Sequence, residues 1–121
     1  MMAYDRANVF ARILRGEIPC NKVYEDEHVL AFHDISPQTP THVLVIPKGE
    51  YVSLDDFSEK ASSAEIAALV RALGRIAREQ GVAEGGYRVL ANSGHAAHQE
   101  VLHFHVHLFA GRDLGGMLPR R

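Results

Sequence analysis

A single cysteine, Cys20, stands in the 121 residues, so neither an intrachain disulfide nor a cysteine-based zinc site can form. Following Pro19, it reads as a small packed residue rather than a nucleophile. No apolar run approaches the ~18 residues of a membrane span, and the N-terminus carries no signal-peptide pattern. The expected setting is therefore reducing and cytoplasmic, with no membrane contact. Runs of Lys or Arg are missing apart from Arg120-Arg121, and the formal net charge is −2. A nucleic-acid partner is accordingly not expected. There is also no P-loop and no carboxylate cluster suited to magnesium. A triphosphate or a phosphomonoester dianion would find too little positive charge here.

What is present is one ordinary domain's length, 121 residues with 46% apolar composition, and an excess of histidine. The whole chain reads as a single domain, with its motifs between about residues 9 and 112 and a short variable tail, 113–121. A domain this small buries limited surface, so dimerisation is a natural way to bury more. Asn8 can cap a helix over Val9–Arg15 that ends at Gly16. Lys22–Glu25 and Val29–His33 read as strands, as does the apolar run His42–Pro47. Ser62 and Glu65 form a capping box for a long helix closed by Gly81, with an apolar stripe of Ile66, Leu69, Val70, Leu73, Ile76 and Ala77. Gly74 inside that helix costs ~1 kcal/mol against alanine, which suggests close packing on a sheet. Tyr87–Asn92 and Leu102–Phe109 complete five strands. The expected fold is α+β: a five-stranded antiparallel sheet with two main helices laid on one face.

The last strand concentrates the chemistry. Side chains alternate along a strand, so His103, His105 and His107 share one face while Phe104, Val106 and Leu108 face the core. One imidazole on an apolar strand is usually structural. Three at alternate positions imply an accessible working surface. Spacing alone leaves two readings open. In one, three imidazoles ligate a catalytic metal with an open fourth position. In the other, the middle imidazole is a nucleophile at phosphorus and its neighbours hold the phosphate oxygens. Imidazole has an unperturbed pKa near ~6.5, so a neutral nucleophile is available at pH 7, and a neighbour could stay protonated to stabilise charge. Asp34, next to a turn, reads either as an acceptor for a ribose diol through two short bonds or as an Asx-turn before Pro37, and Phe10 and Ile13 read as core.

The pattern His103 through Phe109 resembles the signature of the histidine-triad superfamily. Val9–Pro19, Ala31–Gln38 and Pro40–Lys48 resemble its nucleotide-binding branch, in order, over nearly the whole chain. That resemblance implies a homodimer whose two five-stranded sheets join into one continuous sheet. It implies hydrolysis of P–N bonds in purine nucleoside 5′-phosphoramidates without a cofactor or metal. By resemblance, His105 is the nucleophile that forms a nucleotidyl-histidine, His103 and His107 flank it, and His42 completes their hydrogen-bond network. Asp34 would accept the ribose hydroxyls with Ile35 beside it. Phe10, Ile13 and His33 would wall the purine, and Asn92 and Gln99 would contact phosphate. A nucleotide-binding regulatory module with incidental hydrolysis is the alternative use of the same residues.

Two positions depart from the pattern. His98 stands where relatives carry glycine, at a turn close to phosphate. Glu100 stands where many relatives carry serine, near the leaving group. The proton donor to the leaving amine is left open between Glu100, His107 and water.

Overall fold

The computed structural model describes residues 3–119; Arg120 and Arg121 of the expected tail lie outside them. The elements run α1 (Val9–Leu14), β1 (Lys22–Glu25), β2 (Val29–His33), β3 (Thr41–Pro47), α2 (Leu54–Lys60), α3 (Ser63–Glu79), β4 (Tyr87–Leu90) and β5 (Val106–Ala110), with a 3₁₀ turn at His95–Ala97. The strands form one antiparallel sheet in the order β1-β2-β3-β5-β4. The fold is thus α+β with five antiparallel strands, as the sequence predicts, but it has three α-helices rather than two main ones.

Helix ends follow their capping chemistry. Asn8 accepts from the Ala11 N–H, and Ser62 and Glu65 form the predicted reciprocal box at the start of α3. The unforeseen α2 starts with a second box, in which Ser53 and Asp56 satisfy each other's backbone N–H groups. Asp56 is buried and also accepts from the Val52 N–H at 2.8 Å. Such a box satisfies N–H groups that the helix itself leaves unpaired.

The helices do not share one face of the sheet. Val29, Ala31, Val43, Val45, Val106 and Leu108 pack with Leu69, Ala72, Ile76 and Ala77 of α3 and with Phe57 of α2. The alternate residues Leu30, Phe32, Leu44 and Ile46 pack instead with Phe10 of α1. β2 and β3 are apolar on both sides because both sides are covered. Two details of α3 differ from the expected stripe. Val70 is exposed, Ala72 being the buried residue there. Gly74 does not approach the sheet: a Cβ added there meets only the flexible tip of Arg78, at 3.3 Å.

β5 begins at Val106 rather than Leu102. Upstream of it, the Phe104 N–H bonds to the Tyr51 carbonyl at 2.7 Å, and the His103 carbonyl accepts from the His105 ring. These bonds replace a strand ladder and bring two of the three histidines in before the sheet starts. Within the sheet, His107 sits between Leu44 of β3 and Leu90 of β4, and His42 lies opposite Phe109. His42 and His107 are therefore diagonal neighbours on the α1 side.

Candidate active site

A cavity of about 190 Å³ on the α1 side of the sheet gathers Phe10, Asp34, Leu44, Asn92, Glu100, His105 and His107. A larger groove, about 670 Å³, runs between β1 and α3 past Tyr24, Arg71 and Arg75. No histidine lines it, and the imidazoles rather than volume select the smaller cavity.

The imidazoles have distinct surroundings. His105 is buried against Phe10, ring centroids 5.0 Å apart, and its Nδ1 lies 2.7 Å from the His103 carbonyl. A carbonyl only accepts, so Nδ1 carries the proton and Nε2 keeps a free lone pair. His107 is set by a chain of bonds from β3. The Gln38 N–H donates to His42 Nδ1 at 3.1 Å, so His42 holds its proton on Nε2, which lies 3.0 Å from His107 Nδ1. Neutral His107 then carries its proton on Nε2, as a donor rather than a second nucleophile.

His103 is the correction to the expected shared surface. It is 0% exposed, with Nε2 bonded to the Pro47 carbonyl at 2.8 Å and Nδ1 to the Tyr4 hydroxyl at 2.6 Å. Both ring nitrogens are occupied, so it does not line the cavity. The three triad imidazoles therefore cannot converge on one metal. Asp34, His42 and His107 do bring ligand atoms within 4.8 Å of one another. The Gln38 N–H, however, keeps the His42 proton on Nε2, the nitrogen a metal would need.

Burial also sets protonation. Desolvation lowers the pKa of His105, with the His103 carbonyl, Asp34 and Glu100 opposing it. Desolvation, reinforced by repulsion from His105 and His42, brings His107 to about 4. Desolvation takes His103 to about 4 as well, and it lowers His42 against the pull of Asp34. All four imidazoles are thus neutral at pH 7 in the free protein. The expected protonated neighbour is not present there; the polarising group is a neutral N–H.

The remaining candidates divide. Asp34 forms the Asx-turn, its Oδ1 accepting from the Ser36 N–H at 2.8 Å, while Oδ2 lies 3.5 Å from His42 Nε2 at the edge of the cavity. Asn92 and the exposed Glu100 border the cavity. Gln99 borders it too, but its amide is engaged by the Gly94 N–H and by the carbonyls of Val52 and Val101. It braces the loop instead of presenting a free group. His98 has φ 58°, the one left-handed non-glycine residue among those described, a backbone conformation that glycine adopts at least cost. Ile13 lines a separate cavity with Leu14, Cys20 and Leu30. Ile35 is 98% exposed and His33 half-buried, and neither lines the histidine cavity. Sequence reasoning missed Tyr4, which no local pattern connects to a histidine 99 residues away.

A family model described as HIT domain matches residues 15–114. An uncharacterised 13.2 kDa HIT-like protein of Azospirillum brasilense is 66% identical over 97% of this chain and 96% of its own length. The purine nucleoside phosphoramidase of Escherichia coli is 42% identical over 93% of this chain and 94% of its own. Among solved structures, a HIT family hydrolase from Clostridium thermocellum superposes with a TM-score of 0.86 at 37% identity, over 93% of this chain and 97% of that one. The chain belongs to the HIT domain family of histidine-triad proteins.

Proposed function

We propose that this protein is a purine nucleoside phosphoramidase acting through a covalent nucleotidyl-histidine. The observation that carries the reading is the His105 ring, whose Nδ1 is fixed on a backbone carbonyl at 2.7 Å while Nε2 is left unprotonated beside the cavity. Its similarity to the Escherichia coli phosphoramidase supports the choice of substrate.

In the first step, His105 Nε2 attacks the α-phosphorus, the P–N bond breaks, and the amine leaves with a proton relayed through Glu100 at the cavity mouth. His107 donates its Nε2–H to a phosphoryl oxygen, where charge develops. In the second step, water attacks the phosphorus and passes a proton back through Glu100, the P–Nε2 bond breaks, and the nucleoside monophosphate departs. A cavity of about 190 Å³ is below the ~300–1,000 Å³ of whole-ligand pockets. It suits the reacting phosphate, with the sugar at Asp34 and the base reaching outward past Phe10. No metal or cofactor takes part.

The protein acts as a cytoplasmic homodimer in this reading. β4 is an edge strand, with Tyr87 40% and Val89 43% exposed, and pairing two such edges would extend the sheet and cover them. No helix among the described residues is long and apolar enough to cross a membrane.

The test is a substrate panel: AMP and GMP phosphoramidates against dinucleoside polyphosphates, at equal concentration. The phosphoramidates are expected to turn over at least tenfold faster. Preferential cleavage of the polyphosphates would overturn the assignment.

A further inference from the structure

His103 is the least exposed of the triad, and what satisfies it comes from the opposite end of the chain. Its Nε2 faces the Pro47 carbonyl at 2.8 Å, and a carbonyl cannot donate, so Nε2 carries the ring proton. Nδ1 is then a bare acceptor in a residue with 0% exposure, and the Tyr4 hydroxyl meets it at 2.6 Å. Among the described residues, no buried side-chain nitrogen or oxygen lacks a hydrogen-bond partner. Loss of the Tyr4 hydroxyl would create one.

The segment before α1 is built to deliver that hydroxyl. Asp5 closes a turn by accepting the Ala7 N–H on Oδ1 at 2.8 Å, and its carbonyl accepts from the Asn8 backbone and side chain at 3.1 and 2.7 Å. Arg6 pairs with Glu50 at 2.7 Å, and Arg15 donates to the Arg6 carbonyl at 2.8 Å. The Tyr4 ring packs edge-on against His103, centroids 5.6 Å apart. Burial raises the Tyr4 pKa, so the group stays a neutral donor at any working pH.

The geometry points to Tyr4 as a positioning residue for the transfer at His105, a role that rests on the phosphoramidase reading above. The His103 ring is held from both ends, by Pro47 and Tyr4, and the carbonyl of the same residue accepts the His105 Nδ1–H at 2.7 Å. A fixed His103 thus fixes the acceptor that orients the nucleophile. Tyr4 is absent from the residues lining the cavity, so it acts on rate rather than on substrate affinity.

The experiment compares full-length Tyr4→Phe and Tyr4→Ala with the wild type. Ring ¹⁵N shifts of His103 and His105 are recorded in the free protein, with kcat and KM for an AMP phosphoramidate. Tyr4→Phe keeps the ring and deletes the hydroxyl. It is expected to move His103 Nδ1 to the position of an unbonded acceptor, to perturb the His105 ring, and to lower kcat about tenfold or more with KM within twofold. Tyr4→Ala should reduce kcat to a similar degree. Wild-type kcat in Tyr4→Phe with a loss only in Tyr4→Ala would mean that the aromatic ring alone matters and would overturn the proposal. Unchanged His103 and His105 shifts would overturn it too. The shifts need no substrate: a wild type inert toward phosphoramidates would defeat the functional reading, and the shifts would still decide the Tyr4 role.

Discussion

Acidification from pH 7 to pH 5 should destabilise this protein through its buried imidazoles. His103 has a folded-state pKa of about 4 because burial disfavours its cation, against ~6.5 in an unfolded chain. Between those values the unfolded state binds the proton and the folded state does not, so stability falls as pH falls. The loss from His103 alone is about 2 kcal/mol at pH 5 and about 3 kcal/mol at pH 4, at ~1.4 kcal/mol per pKa unit. His107, also at about 4, and the lowered His105 and His42 act in the same direction. The paired carboxylates respond at lower pH: Glu25 titrates at about 2, held down by Lys22 and Lys48, and hydrogen bonds from Ser62 lower Glu65. The window from 6.5 to 5 therefore belongs to the buried imidazoles. Urea denaturation at pH 7, 6 and 5, at one protein concentration and ionic strength, should show the midpoint falling with an unchanged m-value. A midpoint constant across this range would refute the neutral, desolvated histidine cluster.

Further outcomes are expected from substitution and from chelation. Asp34→Ala should raise KM for ribonucleotide substrates and erase most of the preference for ribose over 2′,3′-dideoxyribose, a discrimination of about tenfold or more from charge-assisted bonds; equal wild-type rates on both sugars would leave Asp34 with its turn alone. Glu100→Gln should slow substrates with basic alkylamine leaving groups much more than those with aryl amines, since the attack by His105 is common to both; an equal loss would limit Glu100 to shaping the loop. Dialysis against EDTA should leave hydrolysis unchanged, and restoration of a lost activity by zinc alone would revive a metal mechanism.

The strands β1 and β2 and the capping of α1 and α3 could be read from the sequence because their signals are local: turn residues, alternating apolar positions and cap side chains. The face taken by α1 was harder, although the apolar residues on both sides of Val29–His33 and His42–Pro47 carry that information. Helix α2 escaped because a seven-residue helix, Leu54–Lys60, shows little periodicity, and its Ser53–Asp56 box uses Asp where Glu or Gln is the usual sign. The histidine pattern located the site, while strand alternation gave the wrong surroundings for His103. Alternation says which way a side chain points from a strand; it does not reveal that Tyr4 and Pro47 close over it. The protonation states follow from burial and from the Gln38 N–H, both long-range results of folding.

The central claim is a covalent bond between His105 and the α-phosphorus. Mixing the enzyme with excess AMP phosphoramidate, quenching within one turnover and mapping peptides by mass spectrometry tests it directly. The wild type should carry one nucleotidyl group, on the peptide containing His105, appearing and decaying at rates that account for kcat. His105→Ala should carry none and lose turnover by orders of magnitude while still binding AMP. An adduct on another residue, or a His105→Ala protein with half the wild-type rate, would contradict the account.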